Sequence, residues 1–330
     1  MRVIFDDRWS GDNGIGRYSK ELAARISHEG VSSMLQSMPT SPLDPFRLSY
    51  KLRNEVEGVY YSPGYNAPLM SRVPYIFTLH DLNHIDRNEN SNVLKRLYYQ
   101  SVLRVLCRRA EAIVTVSDFS RSRIIDWFGI APEHVFNVGN GVSEIFHNNS
   151  EKYRPGYRYA LCVGNRKEHK NEKGALRAFL SSDLQSDYRL IFTGPVDDEL
   201  KAIAQAHGAG HRVIFAGQLT EEKLASLYKG AEFLLFPSFY EGFGLPIIEA
   251  FASGTPVITS NVTAMPEVSG GAAILVNPGD IKSISAGINK LIDSPELVSE
   301  MRNMGLERAL YYRWSAVSGR LSELLAQVYT

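Results

Sequence analysis

The chain has 330 residues, 44% of them hydrophobic, with 36 Lys+Arg against 36 Asp+Glu. That length supplies enough apolar material for about two domains, and a formal net charge of +0 removes global positive charge as a route to a nucleic-acid partner. Two cysteines, Cys107 and Cys162, make neither a disulfide framework nor a zinc site and fit a reducing compartment.

Arg2-Val3-Ile4-Phe5 reads as a buried strand, and Asp6-Asp7 follow at once. The start therefore lacks the apolar region of about 7–15 residues that a signal peptide needs. No apolar run of about 18 residues occurs either, so the expected membrane association is peripheral at most. Tyr18, Leu22 and Ile26 fall at helical spacing, which predicts a helix over 15–26. Strands follow at 59–61, 75–79 and 112–116, each succeeded by a polar loop and a helical stretch, the pattern of a parallel sheet covered by helices. Lys95, Arg96, Arg104, Arg108, Arg109, Arg121 and Arg123 face only Glu111 and Asp118 in their segment. Such a run is either a solvated helix face or a contact for anionic lipid or phosphate. From Phe146 to Gly156 the pattern dissolves into polar residues, Pro and Gly, and a domain boundary is placed there. Strands restart at 159–163, 188–192, 213–215, 233–236, 256–258 and 273–276. Two doubly wound domains in tandem are expected, with strand C-termini facing a cleft.

The most informative stretch is Ser238-Phe239-Tyr240-Glu241-Gly242-Phe243-Gly244-Leu245-Pro246-Ile247-Ile248-Glu249-Ala250. Pro246 suits a helix start and Ser253-Gly254-Thr255-Pro256 a stop, so Glu241 lies on a loop and Glu249 in the first turns of a short helix. Gly242 and Gly244 let the backbone approach a ligand, the helix N-terminus attracts a diphosphate, and a carboxylate accepts hydrogen bonds from vicinal hydroxyls. The second element, Val163-Gly164-Asn165-Arg166-Lys167-Glu168-His169-Lys170-Asn171, is a strand running into a basic loop. Fixed cations there, Lys170 and Arg166, would stabilise charge building on a departing diphosphate. Ser10-Gly11-Asp12-Asn13-Gly14-Ile15-Gly16-Arg17-Tyr18 separates the first strand from the first helix, and Ser19 stands where a dinucleotide fingerprint needs its third glycine. His80-Asp81 follows a strand end, where Asp81 either orients the histidine or caps the next turn. No D-x-D occurs, and the adjacent pairs Asp6-Asp7 and Asp197-Asp198 are poorly spaced to bridge a diphosphate through one ion, so no metal is expected.

Together these elements resemble the E-x7-E signature, the G-x5-K-N loop, the G-I-G-R-Y loop and the H-D-L element of retaining GT-B glycosyltransferases of family 4, in the family's order. Val116-Ser117-Asp118-Phe119-Ser120 and Asn140-Gly141-Val142 match further recurring elements, with Ser117 and Ser120 read as caps. The resemblance implies an α/β GT-B fold, two Rossmann-like domains facing a cleft. Residues 1–150 would be the acceptor side, 155–311 the donor side, and 312–330 a terminal helix packing back on the first domain. It implies Glu241, His80, Lys170 and Arg166 as catalytic residues, although Asn165 stands where many members carry the arginine. Gly14, Gly242, Phe243, Gly244, Leu245, Glu249 and Asn165 would bind the donor. The implied reaction is retaining, metal-independent and cofactor-free transfer of a hexose, with mannose from GDP-mannose favoured, onto a lipid-linked glycan of an O-antigen or capsule at the cytoplasmic face of the inner membrane. A UDP-sugar donor, a GT-B sugar-nucleotide epimerase and a non-catalytic nucleotide-sugar-binding protein are the alternatives.

Overall fold

The computed structural model describes residues 1–9, 11, 14–87, 93–147 and 151–329. Ser10, Asp12 and Asn13 of the N-terminal glycine loop, and Asn148-Asn149-Ser150 of the polar stretch, lie outside the described residues. The chain forms two units, Met1–Gly141 with Trp314–Thr330, and Val142–Arg313.

The first unit is built on six parallel strands: β1 (Val3–Phe5), β2 (Glu29–Gly30), β3 (Val59–Ser62), β4 (Tyr75–Thr78), β5 (Ala112–Thr115) and β6 (Val135–Asn137). Their order is β2-β1-β3-β4-β5-β6, with Ile4 opposite Tyr60 and Phe77 opposite Ile113. Every residue of β1, β3, β4 and β5 is buried, as strands covered by helices on both faces must be. The edge strands β2 and β6 were not expected, because two residues, Glu29 and Gly30, or three ending in Asn137, are too short to show a period. Ile4, Tyr60, Phe77 and Ile113 share a core with Leu103, Leu106, Ile124 and Phe128. The helix Trp314–Tyr329 belongs to this unit. Trp314 is buried 5.7 Å from the ring of Tyr18 and over Gly141, where a Cβ would stand 2.2 Å from the indole.

At the C-terminal ends of β1 and β3 lies a buried ionic network. The Arg8 side chain is 4% exposed between Asp6 and Asp44, both 0%, at 2.6 and 2.8 Å. Asn66 Nδ2 donates to both carboxylates at 2.8 Å, the Tyr60 hydroxyl donates to Asp6 and the Ser37 hydroxyl to Asp44. Two carboxylates and one guanidinium survive such burial only because every charge is met by several hydrogen bonds. Burial works against the Arg8 charge, yet the hydrogen bonds to Asp6 and Asp44 outweigh it and hold the guanidinium well above its ordinary range. The network ties together the loops that follow β1, β2 and β3.

The second unit repeats the plan with β7 (Tyr159–Cys162), β8 (Arg189–Phe192), β9 (Val213–Phe215), β10 (Phe233–Phe236), β11 (Val257–Ser260) and β12 (Ala273–Val276), all parallel. The order is β12-β11-β10-β7-β8-β9. This unit begins at Val142, ahead of the 146–156 stretch where the sequence places a boundary. The reason is Phe146, buried in the helix Glu144–His147 with its ring 5.8 Å from Tyr228. In each sheet one strand lies between strands that lead the chain in opposite directions, β1 between β2 and β3 and β7 between β8 and β10. Loops leaving the C-terminal ends at such a point diverge and open a crevice for ligands.

Replacing Arg8 by Met strands two buried carboxylates. Urea unfolding of Arg8→Met is expected to show a loss of about 3–5 kcal/mol, the usual cost of removing one partner from a buried ion pair; a loss within ~0.5 kcal/mol would show that the network does not hold these loops.

Candidate active site

The loops leaving β7 and β10 supply a lysine and a glutamate to the same crevice of the second unit. Lys170 Nζ donates to Glu241 Oε1 at 2.8 Å, with the side chains 15% and 12% exposed. The ammonium also sits 5.2 Å from the ring centre of Phe236, at the end of β10. Asn171 fixes the lysine loop. Its backbone is left-handed (φ 52°), and Nδ2 donates to the carbonyls of Pro237 at 2.9 Å and Pro278 at 2.8 Å, clipping it to the loops after β10 and β12. The Phe239 N–H donates to the His169 carbonyl at 2.7 Å, a second tie between the loops. On the other side, the Glu241 N–H donates to Thr263 Oγ1 at 3.2 Å, and Thr263 too is left-handed (φ 56°). Strained backbone at two loops around one ion pair fits a site whose geometry is over-determined.

Arg166 is placed differently from Lys170. Its guanidinium pairs with Glu172 and donates to the Pro195 carbonyl at 2.7 Å, while its backbone N–H donates to Glu172 Oε2 at 2.9 Å. Burial pushes the Glu172 carboxyl above its ordinary range, and the adjacent Arg166 opposes that shift. Gly164 lies against this pair, where a Cβ would stand 2.5 Å from Glu172 Oε1 and displace the carboxylate. Asn165 is exposed and accepts the Lys167 N–H at 3.4 Å, a turn contact.

Gly244 has φ 103° and precedes the helix Leu245–Ala252, which carries Pro246 in its first turn. The Phe243 ring is buried edge-on against Tyr312 at 5.3 Å, turned away from solvent. Glu249, 5% exposed in the second turn, accepts the Tyr228 hydroxyl at 2.9 Å. In the first unit, Gly14 opens the helix Gly14–Ala23 with empty space where a Cβ would be. His80 follows β4, and its Nε2 donates to the Pro63 carbonyl at 2.9 Å, which leaves Nδ1 as an acceptor. Burial lowers the His80 pKa to about 4, against a smaller upward pull from the Pro63 bond, so the ring is neutral at neutral pH. Asp81 accepts the Asn83 N–H at 2.9 Å, a turn cap, and Ser117 accepts the Ser120 N–H at 3.0 Å at the head of the helix Asp118–Phe128.

Of the basic segment, Arg121 is turned to the carbonyls of Val135 and Pro132, Arg109 to that of Leu69, and Arg123 to Asp86. Sequence reasoning missed Glu172, Thr263 and Tyr228. Nothing in their spacing marks them, because each acts on a partner brought in by the fold. Among the described residues no group of three or more His, Cys, Asp or Glu side chains is arranged to hold a metal ion, and no helix is long and apolar enough to cross a membrane.

Residues 144–308 match the family described as glycosyl transferases group 1, and residues 58–144 the one described as glycosyltransferase family 4. O-antigen chain mannosyltransferase B of Escherichia coli is 31% identical over 287 residues, which cover 82% of this chain and 75% of that protein. Serotype-specific mannosyltransferase WbdA of Escherichia coli is 28% identical over 224 residues, 63% of this chain but only 28% of WbdA. The solved structure of Anabaena Alr3699/HepE in complex with UDP and glucose covers 99% of this chain and 100% of its own at a TM-score of 0.77 and 17% identity, a likeness of fold. Two parallel doubly wound units define the GT-B class of glycosyltransferases. The chain belongs to the group 1 glycosyltransferases and is a GT-B enzyme of the family 4 type.

The His80 pKa carries a pH signature. Folded His80 titrates near pH 4 and the unfolded ring near 6.5, so its stabilising contribution is complete above pH 6.5 and is lost as pH falls toward 4, by at most about 3 kcal/mol. Urea unfolding between pH 7 and pH 4.5 should show His80→Gln losing less stability on acidification than the native protein; equal losses would contradict a neutral, half-buried imidazole.

Proposed function

We propose that the protein transfers a mannosyl residue from GDP-mannose to a glycan acceptor, with retention of configuration and without a metal ion, in the synthesis of a bacterial surface polysaccharide. The observation that carries this reading is the Lys170–Glu241 ion pair at the switch point of the second unit. In the free protein each charge is met by the other. A bound diphosphate competes for the ammonium, and the released carboxylate accepts hydrogen bonds from the sugar hydroxyls. The C1–O bond to the diphosphate then breaks, the acceptor oxygen bonds to C1 on the face the diphosphate leaves, and the acceptor proton departs with the diphosphate. Lys170 supplies positive charge where the leaving group gains negative charge, the task a divalent ion performs elsewhere. Backbone N–H groups of Gly242, Phe243 and Gly244, at the start of the helix Leu245–Ala252, line the sugar-phosphate, and Glu249 holds the ribose. Neutral His80 serves as a hydrogen-bonding partner of the sugar and not as an acid. Arg166, held by Glu172 and Pro195, braces the lysine loop.

The mannosyl assignment rests on the relatives named as mannosyltransferases. The solved relative holding UDP and glucose keeps a UDP-sugar as the second reading. We assign the acceptor as lipid-linked and the first unit as touching the cytoplasmic face of the membrane. Support comes from Leu43, exposed just ahead of the helix Asp44–Leu52, and from Phe46 and Tyr50, exposed along it beside Arg47 and Lys51. Met70 is hydrogen-bonded to Ser49 of that helix, and exposed Val93, Leu94 and Leu97 alternate with Lys95 and Arg96 farther along the chain. Apolar side chains among bases suit an anionic lipid surface.

Thermal-shift titration in EDTA should show stabilisation by GDP and GDP-mannose, with about 2.7 kcal/mol added at 100 Kd. A shift with uridine compounds alone would replace the donor, and no shift with any nucleotide would remove the reading. Lys170→Ala and Glu241→Ala should each lose at least ~100-fold in turnover while still unfolding cooperatively from a native fold; near-normal rates would overturn their roles. Sedimentation with phosphatidylglycerol vesicles should carry the protein down at low salt and release it at high salt, whereas absence from the pellet at low salt would end the membrane assignment.

A further inference from the structure

Among the described residues, a positive φ outside glycine occurs at Arg166 (64°), Asn171 (52°) and Thr263 (56°). All three lie in loops that leave the C-terminal ends of β7 and β11, around the Lys170–Glu241 pair. Two of them are readily accounted for. Asparagine tolerates the left-handed region, and the Asn171 amide makes both of its clips from there. Arg166 is held by Glu172, which takes its backbone N–H and its guanidinium together. Thr263 is the costly one, because a branched Cβ crowds the backbone in that region and makes threonine there a true outlier.

The turn alone does not require it. The Asn261 N–H donates to the Val276 carbonyl at 2.9 Å, and Ala264 and Met265 are fully buried at the head of the helix Met265–Ser269. The chain therefore passes from sheet to helix within Val262 and Thr263, a turn that glycine makes at no steric cost. Glycine is what the chain uses at Gly270, φ 55°, where the same helix ends, and at Gly244, φ 103°, ahead of the helix Leu245–Ala252. What threonine adds at 263 is a hydroxyl, and that oxygen accepts the Glu241 N–H at 3.2 Å. The contact completes the fixing of the loop after β10. Its start is held by the Phe239 N–H on the His169 carbonyl at 2.7 Å, the Glu241 backbone by Thr263, and the Glu241 carboxylate by Lys170 at 2.8 Å. Strain that persists beside one charged pair, on a residue bonded to that pair, is the pattern of strain retained for function.

We propose that Thr263 is a positioning residue for Glu241: its left-handed backbone aims the hydroxyl at the Glu241 N–H, and that bond sets where the carboxylate stands. The inference rests on the proposed function for its consequence in turnover, but not for the positioning itself. Thr263 acts through Glu241 and touches no reacting atom. A carboxylate misplaced by about 1 Å can cost ~100-fold in rate, so one backbone hydrogen bond at this point has a large effect.

Three variants separate the hydroxyl from the strain. Thr263→Val keeps the branched shape and removes the acceptor, Thr263→Gly removes both, and Thr263→Ser keeps the acceptor. In ligand-free crystals of Thr263→Val the contact between Lys170 Nζ and Glu241 Oε1, 2.8 Å in the native protein, is expected to open beyond hydrogen-bonding distance. A pair that stays closed overturns the inference, whatever the donor. Turnover of GDP-mannose should fall at least ~10-fold in Thr263→Val and Thr263→Gly and return toward the native rate in Thr263→Ser. GDP, which carries no sugar, should bind the first two variants no more weakly than the native protein, since an opened pair frees Lys170. Undiminished turnover in either variant, or a loss of GDP affinity as large as the loss of turnover, overturns the positioning role. Thr263→Gly, relieved of the strain, should unfold at a higher urea concentration than Thr263→Val although it is no more active; the reverse order contradicts a strained threonine. If the pair opens in Thr263→Val while the native protein turns over no nucleotide sugar, the positioning stands and the proposed reaction falls.

Discussion

Lys170 and Glu241 lie 71 positions apart, and their contact exists because β7 and β10 are neighbours at the point where the strand order turns. Several contacts of the second unit hold the two loops that carry it. Asn171 clips the lysine loop to Pro237 and Pro278, Thr263 holds the Glu241 backbone, and Arg166 with Glu172 braces the loop from behind. The pair is largely desolvated, so each partner depends on the other until a ligand offers a better one. In the proposed reaction an anion that takes the lysine also frees the glutamate, which would couple recognition of the diphosphate to recognition of the sugar in one step.

The first unit follows the same logic with a different device. Its buried Asp6–Arg8–Asp44 cluster joins loops that begin at three strands through charged hydrogen bonds, where the second unit uses the Asn171 amide and a backbone bond between Phe239 and His169. A network of this kind contributes little net stability compared with an apolar core of equal volume. Its consequence is positional: Asn66, held by both carboxylates, receives the Trp9 indole N–H, and Trp9 packs edge-on against Tyr65. Neutral His80 stands apart from both devices, kept uncharged by burial and oriented by the Pro63 carbonyl.

The fold was legible because buried parallel strands such as Val59–Ser62 and Phe233–Phe236 are short apolar runs between turn signals. Lys170, Glu241 and the helix Leu245–Ala252 were legible for a local reason, since glycines, a proline and charged residues at fixed spacing describe one loop each. What escaped notice is what depends on distant partners. Asp6 read as half of an ill-spaced acidic pair, yet its partners are Arg8, Tyr60 and Asn66, up to 60 positions away. The tie of Arg166 to Glu172 and Pro195 was not legible because it needs the turn of the loop to be known. Arg121 and Arg123 likewise counted as surface charge until the fold supplied Val135, Pro132 and Asp86.

The measurement that tests this account most directly is a crystal structure of the GDP-mannose complex grown in EDTA, read at one distance. The account predicts that Lys170 Nζ leaves its 2.8 Å contact with Glu241 Oε1 for a diphosphate oxygen, with Glu241 turned to the sugar hydroxyls and no metal bridging the phosphates. A complex in which the Lys170–Glu241 pair stays closed and the diphosphate is held elsewhere would contradict it.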